Sequence, residues 1–402
     1  MTVADSKSAM SDSFSHSASN YSFVANPTAP KVTVLGIGQM GMVCSAIMSE
    51  SQAGPSSSRG ITPFQSGKLE TFNGTNFAAA AASLYPSVRP VVRLWGHNAD
   101  DTANLAQARR SDRLPGMVLP DNIKVTIKAR EALADADVVI SAIPVQYSRS
   151  VWDAIAGFVP PKAAILSVAK GIENGTLLRP TQIIAEVLAD NPDTAARPFG
   201  TLSGPTIASE LARCLPATMV SASDNEAFRK YVQILFTTRW MRIYTSQDLI
   251  GVELAGAMKN VIAIAAGILD GLAAGSNAKS ALLSRGLAEI SRLGLAMGAS
   301  PDTFFGITGV GDLATSCFSP EGRNRTCGEA LGRGKKLEDY LAHSRSVVEG
   351  VATTRSVVDL ARKFKVDMPI TTAVHAVLFE GTDAIDAIGQ LMNRERKEER
   401  IG

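Results

Sequence analysis

Residues 32–41 read VTVLGIGQMG, and no other stretch constrains the chain as strongly. A β-branched apolar run leads into Gly36, Gly38 and Gly41, spaced G-x-G-x-x-G, and MVCSAIM follows with helical composition. Strand, glycine turn and helix in that order open a dinucleotide-binding βαβ unit. The first glycine permits a tight turn, the second lets the backbone approach a pyrophosphate, and the third lets helix and strand pack closely. The helix N-terminus then faces the anionic phosphates. Glycines at this spacing also occur in ordinary strand-to-helix turns; the flanking strand and helix favour the nucleotide reading.

The chain then alternates. VVRLW (91–95), VTIKA (125–129), DVVISAIP (137–144), AAILSVAKGI (163–172), TLS (201–203), ATMVSAS (217–223) and WMRIYTS (240–246) read as strands, with helical stretches between them. That pattern predicts an α/β fold, a doubly wound, mostly parallel, Rossmann-like sheet over 30–246. A second strand normally ends about 20 residues past the glycines, so its late arrival here implies an insertion of roughly 40 residues, at about 51–90. A short helix is expected there at 77–84, within loop-like composition. From Leu249 the strand signal stops. GVELAGAMKNVIAIAAGILDGL and ALLSRGLAEISRLGLAMG have helical spacing, and helices are also expected at 326–333, 353–365 and 371–379. An all-helical C-terminal domain is thus expected over 247–395, with a Ser-rich disordered tail at 1–29 and a charged tail at 396–402.

Composition excludes some classes. Among 402 residues, 40 are basic and 38 acidic, so neither nucleic acid nor an anionic membrane is indicated as a partner. Four cysteines without C-x-x-C spacing and four histidines point to reduced thiols rather than a zinc site or disulfides. No uninterrupted apolar run approaches the ~18 residues of a bilayer span. The N-terminal stretch has neither a secretory leader's pattern nor Arg before Arg59, and a cytoplasmic protein is expected.

Several residues suit chemistry. Lys259 lies in ELAGAMKNVIAIAAGIL, where only Glu253 and Asn260 interrupt small or apolar neighbours. Desolvation there would lower its pKa toward the range of a general acid or base; a lysine snorkelling to the surface is the alternative. Lys170 follows the strand ending SVA, at the strand end where doubly wound sheets place ligands; by itself it reads equally as a solvated loop lysine. SGPT (203–206) offers backbone N–H groups and the Thr206 hydroxyl, as an anion site or as a turn with Thr206 as N-cap. In GVGDLATSCFSPEGRNR (309–325), Asp312 suits an ammonium, Arg323 a phosphate and Asn324 an amide contact. A capped inter-helix loop is the plainer reading of that segment.

In this order, GIGQMG, RLWGHN, SAIPVQ, AKGIE, SGPTIASEL, GVELAGAMKNVIAIAAGILDGL, SRGLAEISRLG, GVGDLATSC, GRNR and VVEG resemble the bacterial type of NAD(P)-dependent glycerol-3-phosphate dehydrogenase, over about residues 31–395. The resemblance implies hydride transfer between NAD(P)H and dihydroxyacetone phosphate, giving sn-glycerol 3-phosphate for phospholipid synthesis. It implies Lys259 as general acid/base, with Lys170 and Asp312 beside it. Substrate contacts are implied for Lys170, Gly204, Thr206, Lys259, Asn260, Asp312, Gly322, Arg323 and Asn324. Cofactor contacts are implied for Gly36, Gly38, Gln39, Met40, Gly41, His97, Lys170, Ala208, Arg323, Val347 and Glu349. No metal is implied, and a homodimer is a family-level expectation.

Gln39 and Met40 stand where the family usually has Ser and an aromatic residue, Ser316 where Thr is usual, and Gly322 where Ser is common. After the second strand come Gly96, His97 and Asn98, with Arg93 just upstream, and no carboxylate to hold a ribose 2′-OH. NADP is therefore expected to be accepted alongside NAD. Two other readings share this plan: a β-hydroxyacid or 6-phosphogluconate-type dehydrogenase, and a nucleotide sensor without catalysis. AKG with GRNR disfavours the first. Retention of Lys259, Asp312 and Arg323 disfavours the second.

Overall fold

The computed structural model describes residues 23, 30–49, 90–189, 197–344, 347–396 and 398–399. The expected Ser-rich tail (Phe23 apart), nearly all of the insertion with its helix at 77–84, and residues 397 and 400–402 of the charged tail lie outside the described residues.

Among the described residues, eight strands form one sheet: β1 Lys31–Leu35, β2 Val91–Trp95, β3 Lys124–Thr126, β4 Val138–Ser141, β5 Ala164–Ser167, β6 Phe199–Ser203, β7 Ala217–Ala222 and β8 Met241–Ser246. Their spatial order is β3-β2-β1-β4-β5-β6-β7-β8. Every neighbouring pair is parallel except β6 with β7. The order reverses between β1 and β4, the switch point where such sheets open a crevice at their carboxyl ends.

The apolar strand runs reflect burial on both faces. Val34, Ile140 and Leu166 point into one core with Met42, Val43 and Ile47 of the helix Gln39–Ser49. Leu35, Val139 and Ile165 point into the other, against Trp152, Ile155 and Ile184. Three expected strands are shorter than their sequence pattern suggested. That read at 137–144 ends at Ser141. That read at 125–129 ends at Thr126, because a short helix begins at Ala129. That read at 163–172 ends at Ser167, where Lys170 and Gly171 begin to turn away from the sheet.

After Ser246, every regular element described is helical. The central helix Leu249–Gly271 starts at Asp248, whose Oδ1 accepts from Gly251 N at 2.8 Å. The other oxygen accepts from Ser300 N at 2.9 Å and Thr303 Oγ1 at 2.5 Å, tying the neighbouring short helix to the same cap. By length and hydropathy the central helix is one that is able to cross a membrane, but 89% of its apolar window is buried within the fold. Leu287, Ile290, Leu293, Phe304, Leu313 and Val357 from surrounding helices pack into the same core.

On one side the central helix meets the helix Arg323–Gly332 through a glycine seam. A Cβ on Gly267 would lie 1.9 Å from Arg325 O, and one on Gly328 would lie 2.0 Å from Ile264 O. Gly271 and Gly332 repeat this reciprocal approach one turn later, so the two backbones lie closer than any side chain allows. Buried Cys44, Cys317 and Cys327 are thiols pushed up to about 12 by desolvation.

Candidate active site

The parallel strands place several loops on one edge. β1 runs into Gly36, which has φ +108°, and a Cβ there would meet Ala142 O at 2.8 Å. A Cβ on Gly41 would strike Gly36 O at 1.8 Å, so this glycine seats the helix on the turn. Among the described residues, a Cβ on Gly38 would meet no atom within 4 Å. The turn therefore leaves open space above its middle glycine, beside the N-terminus of the helix Gln39–Ser49, and fits a pyrophosphate.

Further along the edge, Lys170 follows β5 and Gly204 follows β6. Gly204 has φ +148°, and a Cβ there would press on Thr218 O at 2.9 Å. Its carbonyl accepts from Lys170 Nζ at 2.9 Å and from Thr206 Oγ1 at 3.2 Å. Thr206 is not the N-cap; Ile207 occupies that position before the helix Ala208–Ala212. The Thr206 hydroxyl is turned instead toward Lys170 Nζ, 3.5 Å away.

Lys170 and Lys259 converge on Asp312. Lys170 Nζ donates to Asp312 Oδ2 and Lys259 Nζ to Oδ1, each at 2.6 Å. Asp312 is 1% exposed and opens the helix Asp312–Phe318. One turn on, Ser316 Oγ accepts from Lys259 Nζ at 2.6 Å, so Ser supplies the hydroxyl expected of a Thr. Desolvation lowers Lys170 to about 8 despite the opposing pull of Asp312, and the Lys259 charge pushes the same way. Gly256, one turn before Lys259, was not legible as part of the site. A Cβ there would crowd Ser203 Oγ at 3.0 Å and touch Lys170 Cγ at an ordinary 3.5 Å, so the glycine lets the central helix pass close to the end of β6 beside the second lysine.

The glycine seam brings Arg323 and Asn324 to the same place. Gly322 caps their helix with extended backbone. Asn324 Nδ2 donates to Asn260 Oδ1, and Gly350 N donates to Asn324 Oδ1, each at 2.9 Å. Asn324 is thus mainly a bridge. Among the described residues, Asn260, which adjoins Lys259, has a buried side-chain amide nitrogen without a partner. Arg323 is exposed, and its charge acts on the half-buried Glu349 carboxyl. Burial raises Glu349, while Arg323, Lys170 and Lys259 pull it down. Three cations therefore surround two carboxyls, with an unpaired donor beside them, an arrangement suited to a small phosphorylated ligand.

The family model for the NAD-dependent glycerol-3-phosphate dehydrogenase N-terminus matches residues 31–229, and that for the C-terminus matches 248–389. The chain belongs to this family. It is 44% identical over 310 residues to glycerol-3-phosphate dehydrogenase [NAD(P)+] of Prosthecochloris aestuarii, covering 77% of this chain and 92% of that one. A second such enzyme, from Lactobacillus delbrueckii, is 41% identical over 332 residues, covering 83% and 98%. The crystal structure of glycerol-3-phosphate dehydrogenase from Coxiella burnetii aligns with a TM-score of 0.77 at 29% identity, over 92% of this chain and all of that one.

Against the dehydrogenase pattern, the remaining expected residues sort by place. Gln39 Nε2 donates to Arg113 O at 2.6 Å, so its amide ties down a loop. Met40 packs on the sheet core, as does Ala208. His97 lies exposed at the end of β2, and Val347 is exposed before the helix Glu349–Phe364. Arg93 does not face the β2 end; its guanidinium donates to Ala132 O and Ala134 O and pairs with Asp135. Glu253, the other polar residue near Lys259, is structural: it accepts from Thr181 N at 2.9 Å and Thr181 Oγ1 at 2.8 Å, and pairs with Arg179.

Proposed function

We propose that this chain catalyses reversible reduction of dihydroxyacetone phosphate to sn-glycerol 3-phosphate with NADPH or NADH. The observation that carries this reading is the pairing of Lys170 and Lys259 on one buried carboxylate, at the strand ends that also hold the phosphate turn. Gly36, Gly38 and Gly41 would hold the cofactor pyrophosphate, with His97, Ala208, Val347 and Glu349 as further contacts. When bound, the reduced nicotinamide supplies a hydride to the substrate's carbonyl carbon.

The chain's own groups handle the proton and the charge. Asp312 and Ser316 hold the Lys259 ammonium by two of its N–H bonds. The third N–H is left for the substrate C2 oxygen, to which Lys259 Nζ gives a proton in reduction and from which it takes one in oxidation. Lys170 stabilises negative charge growing on that oxygen. Arg323, with the free amide N–H of Asn260, takes the phosphate. The enzyme works in the cytoplasm as a homodimer and feeds glycerophospholipid synthesis.

The test is loss of reduced-nicotinamide absorbance on adding dihydroxyacetone phosphate. Rapid loss, absent with unphosphorylated dihydroxyacetone, supports the reading. No loss with either cofactor rejects it.

A further inference from the structure

We infer that Arg113 is the residue that recognises the 2′-phosphate of NADP, in competition with Asp101. This rests on the dinucleotide reading of the glycine turn. β2 ends at Trp95, and Gly96, His97 and Asn98 follow without a carboxylate for the ribose diol. The helix Ala99–Ala108 begins there, with Asn98 Oδ1 accepting from Asp101 N at 2.9 Å. Asp101 thus sits one turn past the strand end where the adenosine ribose is held in this architecture.

Arg113 is tied to both sides of that place. Its carbonyl accepts from the side chain of Gln39, inside the phosphate turn and 74 residues away in sequence. Its guanidinium pairs with Asp101 Oδ2 at 2.6 Å. The backbone between is fixed: Arg113 N donates to Ser111 Oγ at 3.2 Å, Leu114 N donates to Ser111 O at 3.1 Å, and Leu114 is buried. The head group is half exposed and has room to move. Two other arginines of this region are committed elsewhere. Arg93 is turned to Asp135, and Arg109 donates to the carbonyls of Leu119, Pro120 and Ile123.

The energetics favour a switch of partner. A solvated Arg–Asp pair is weak, whereas a fork of N–H donors on a dianionic phosphate is among the stronger charge-assisted contacts. With a 2′-hydroxyl, Arg113 stays on Asp101; with a 2′-phosphate, it moves to the phosphate. One residue thereby tolerates both cofactors and favours the phosphorylated one.

The test is calorimetric titration of the full chain with 2′,5′-ADP (adenosine 2′,5′-bisphosphate) and with 5′-AMP, which lacks only the 2′-phosphate. Wild type is expected to bind 2′,5′-ADP roughly tenfold more tightly, the scale of one charge-assisted contact. Arg113→Gln removes that advantage and leaves 5′-AMP affinity in place. Arg113→Lys restores part of it, and Asp101→Asn widens it. A 2′,5′-ADP advantage that survives Arg113→Gln overturns the inference, as does equal weakening of both nucleotides. Wild type that binds neither overturns the dinucleotide reading as well; wild type that binds both, with preference unchanged in the variant, overturns this inference alone.

Discussion

The Lys259 ammonium lies 2.6 Å from Asp312 Oδ1, a buried contact between residues 53 apart in sequence. The central helix supplies the lysine and a later helix supplies the carboxylate, so the contact forms only once the helical half has packed. Replacing Lys259 leaves Asp312 paired with Lys170, so the carboxylate is not stranded. Lys259→Met is expected to fold and to bind cofactor as wild type does, with kcat lower by about a thousandfold, within the range of general acid–base contributions. Circular dichroism, cofactor titration and turnover check this together. Turnover near wild type rejects the acid/base role.

The lowered value of Lys170 gives a pH dependence with a definite sign. The group is charged below about 8 and neutral above it, against an ordinary value of 10.5. If its charge attracts the substrate, the KM for dihydroxyacetone phosphate rises as pH increases through about 8. Stability moves the other way. The unfolded chain keeps this proton up to about 10.5, so the burial cost is present in full below about 8 and is relieved between the two values as pH rises. Lys170→Arg, which does not titrate in this range, is expected to flatten the KM profile. A flat wild-type profile rejects the assignment.

The readable parts of the sequence were those whose physics is local. The glycine turn announced itself because its spacing, strand and helix lie within a few residues, and Lys259 because its helical neighbours were apolar. The convergence on Asp312 was legible only as a suspicion, since nothing local says that two lysines share one carboxylate. Gly256, Gly267 and Gly328 were opaque for a different reason. A glycine inside a helix reads as a weak point, and its use as a site of backbone approach depends on what packs there. The turn of Arg93 toward the neighbouring short helix was equally hidden, because strand register does not reveal that Ala132 O and Ala134 O lie in reach.

Arg323 has an electrostatic neighbour in Glu349 but no buried structural role. Its removal therefore tests ligand binding with little effect on folding. Arg323→Ala is expected to raise the KM for dihydroxyacetone phosphate by roughly tenfold to a hundredfold, the scale of a hydrogen bond to a charged group. The cofactor KM is expected to rise less. Steady-state kinetics with each substrate varied in turn decide it, and an unchanged substrate KM excludes Arg323 from the phosphate site.

Two glycines of the turn, Gly41 and Gly38, are expected to fail in different ways. Gly41→Ala places a methyl 1.8 Å from Gly36 O, and helix and strand must separate. Overpacking of that kind costs about 3 kcal/mol or more. Among the described residues, Gly38 has no atom within 4 Å of the same added carbon, and it lacks the positive φ that penalises a side chain. Gly38→Ala is expected to cost about 1 kcal/mol at most, the scale of an exchange at a helix N-cap. The added methyl does occupy the space through which a pyrophosphate must approach the turn, so cofactor affinity should collapse while the fold survives. Thermal unfolding and cofactor titration on both variants separate the cases. A Gly38→Ala protein that binds NADPH as wild type does shows that the open space above the turn is not the phosphate site, and one that unfolds as readily as Gly41→Ala shows that the glycine serves the fold instead.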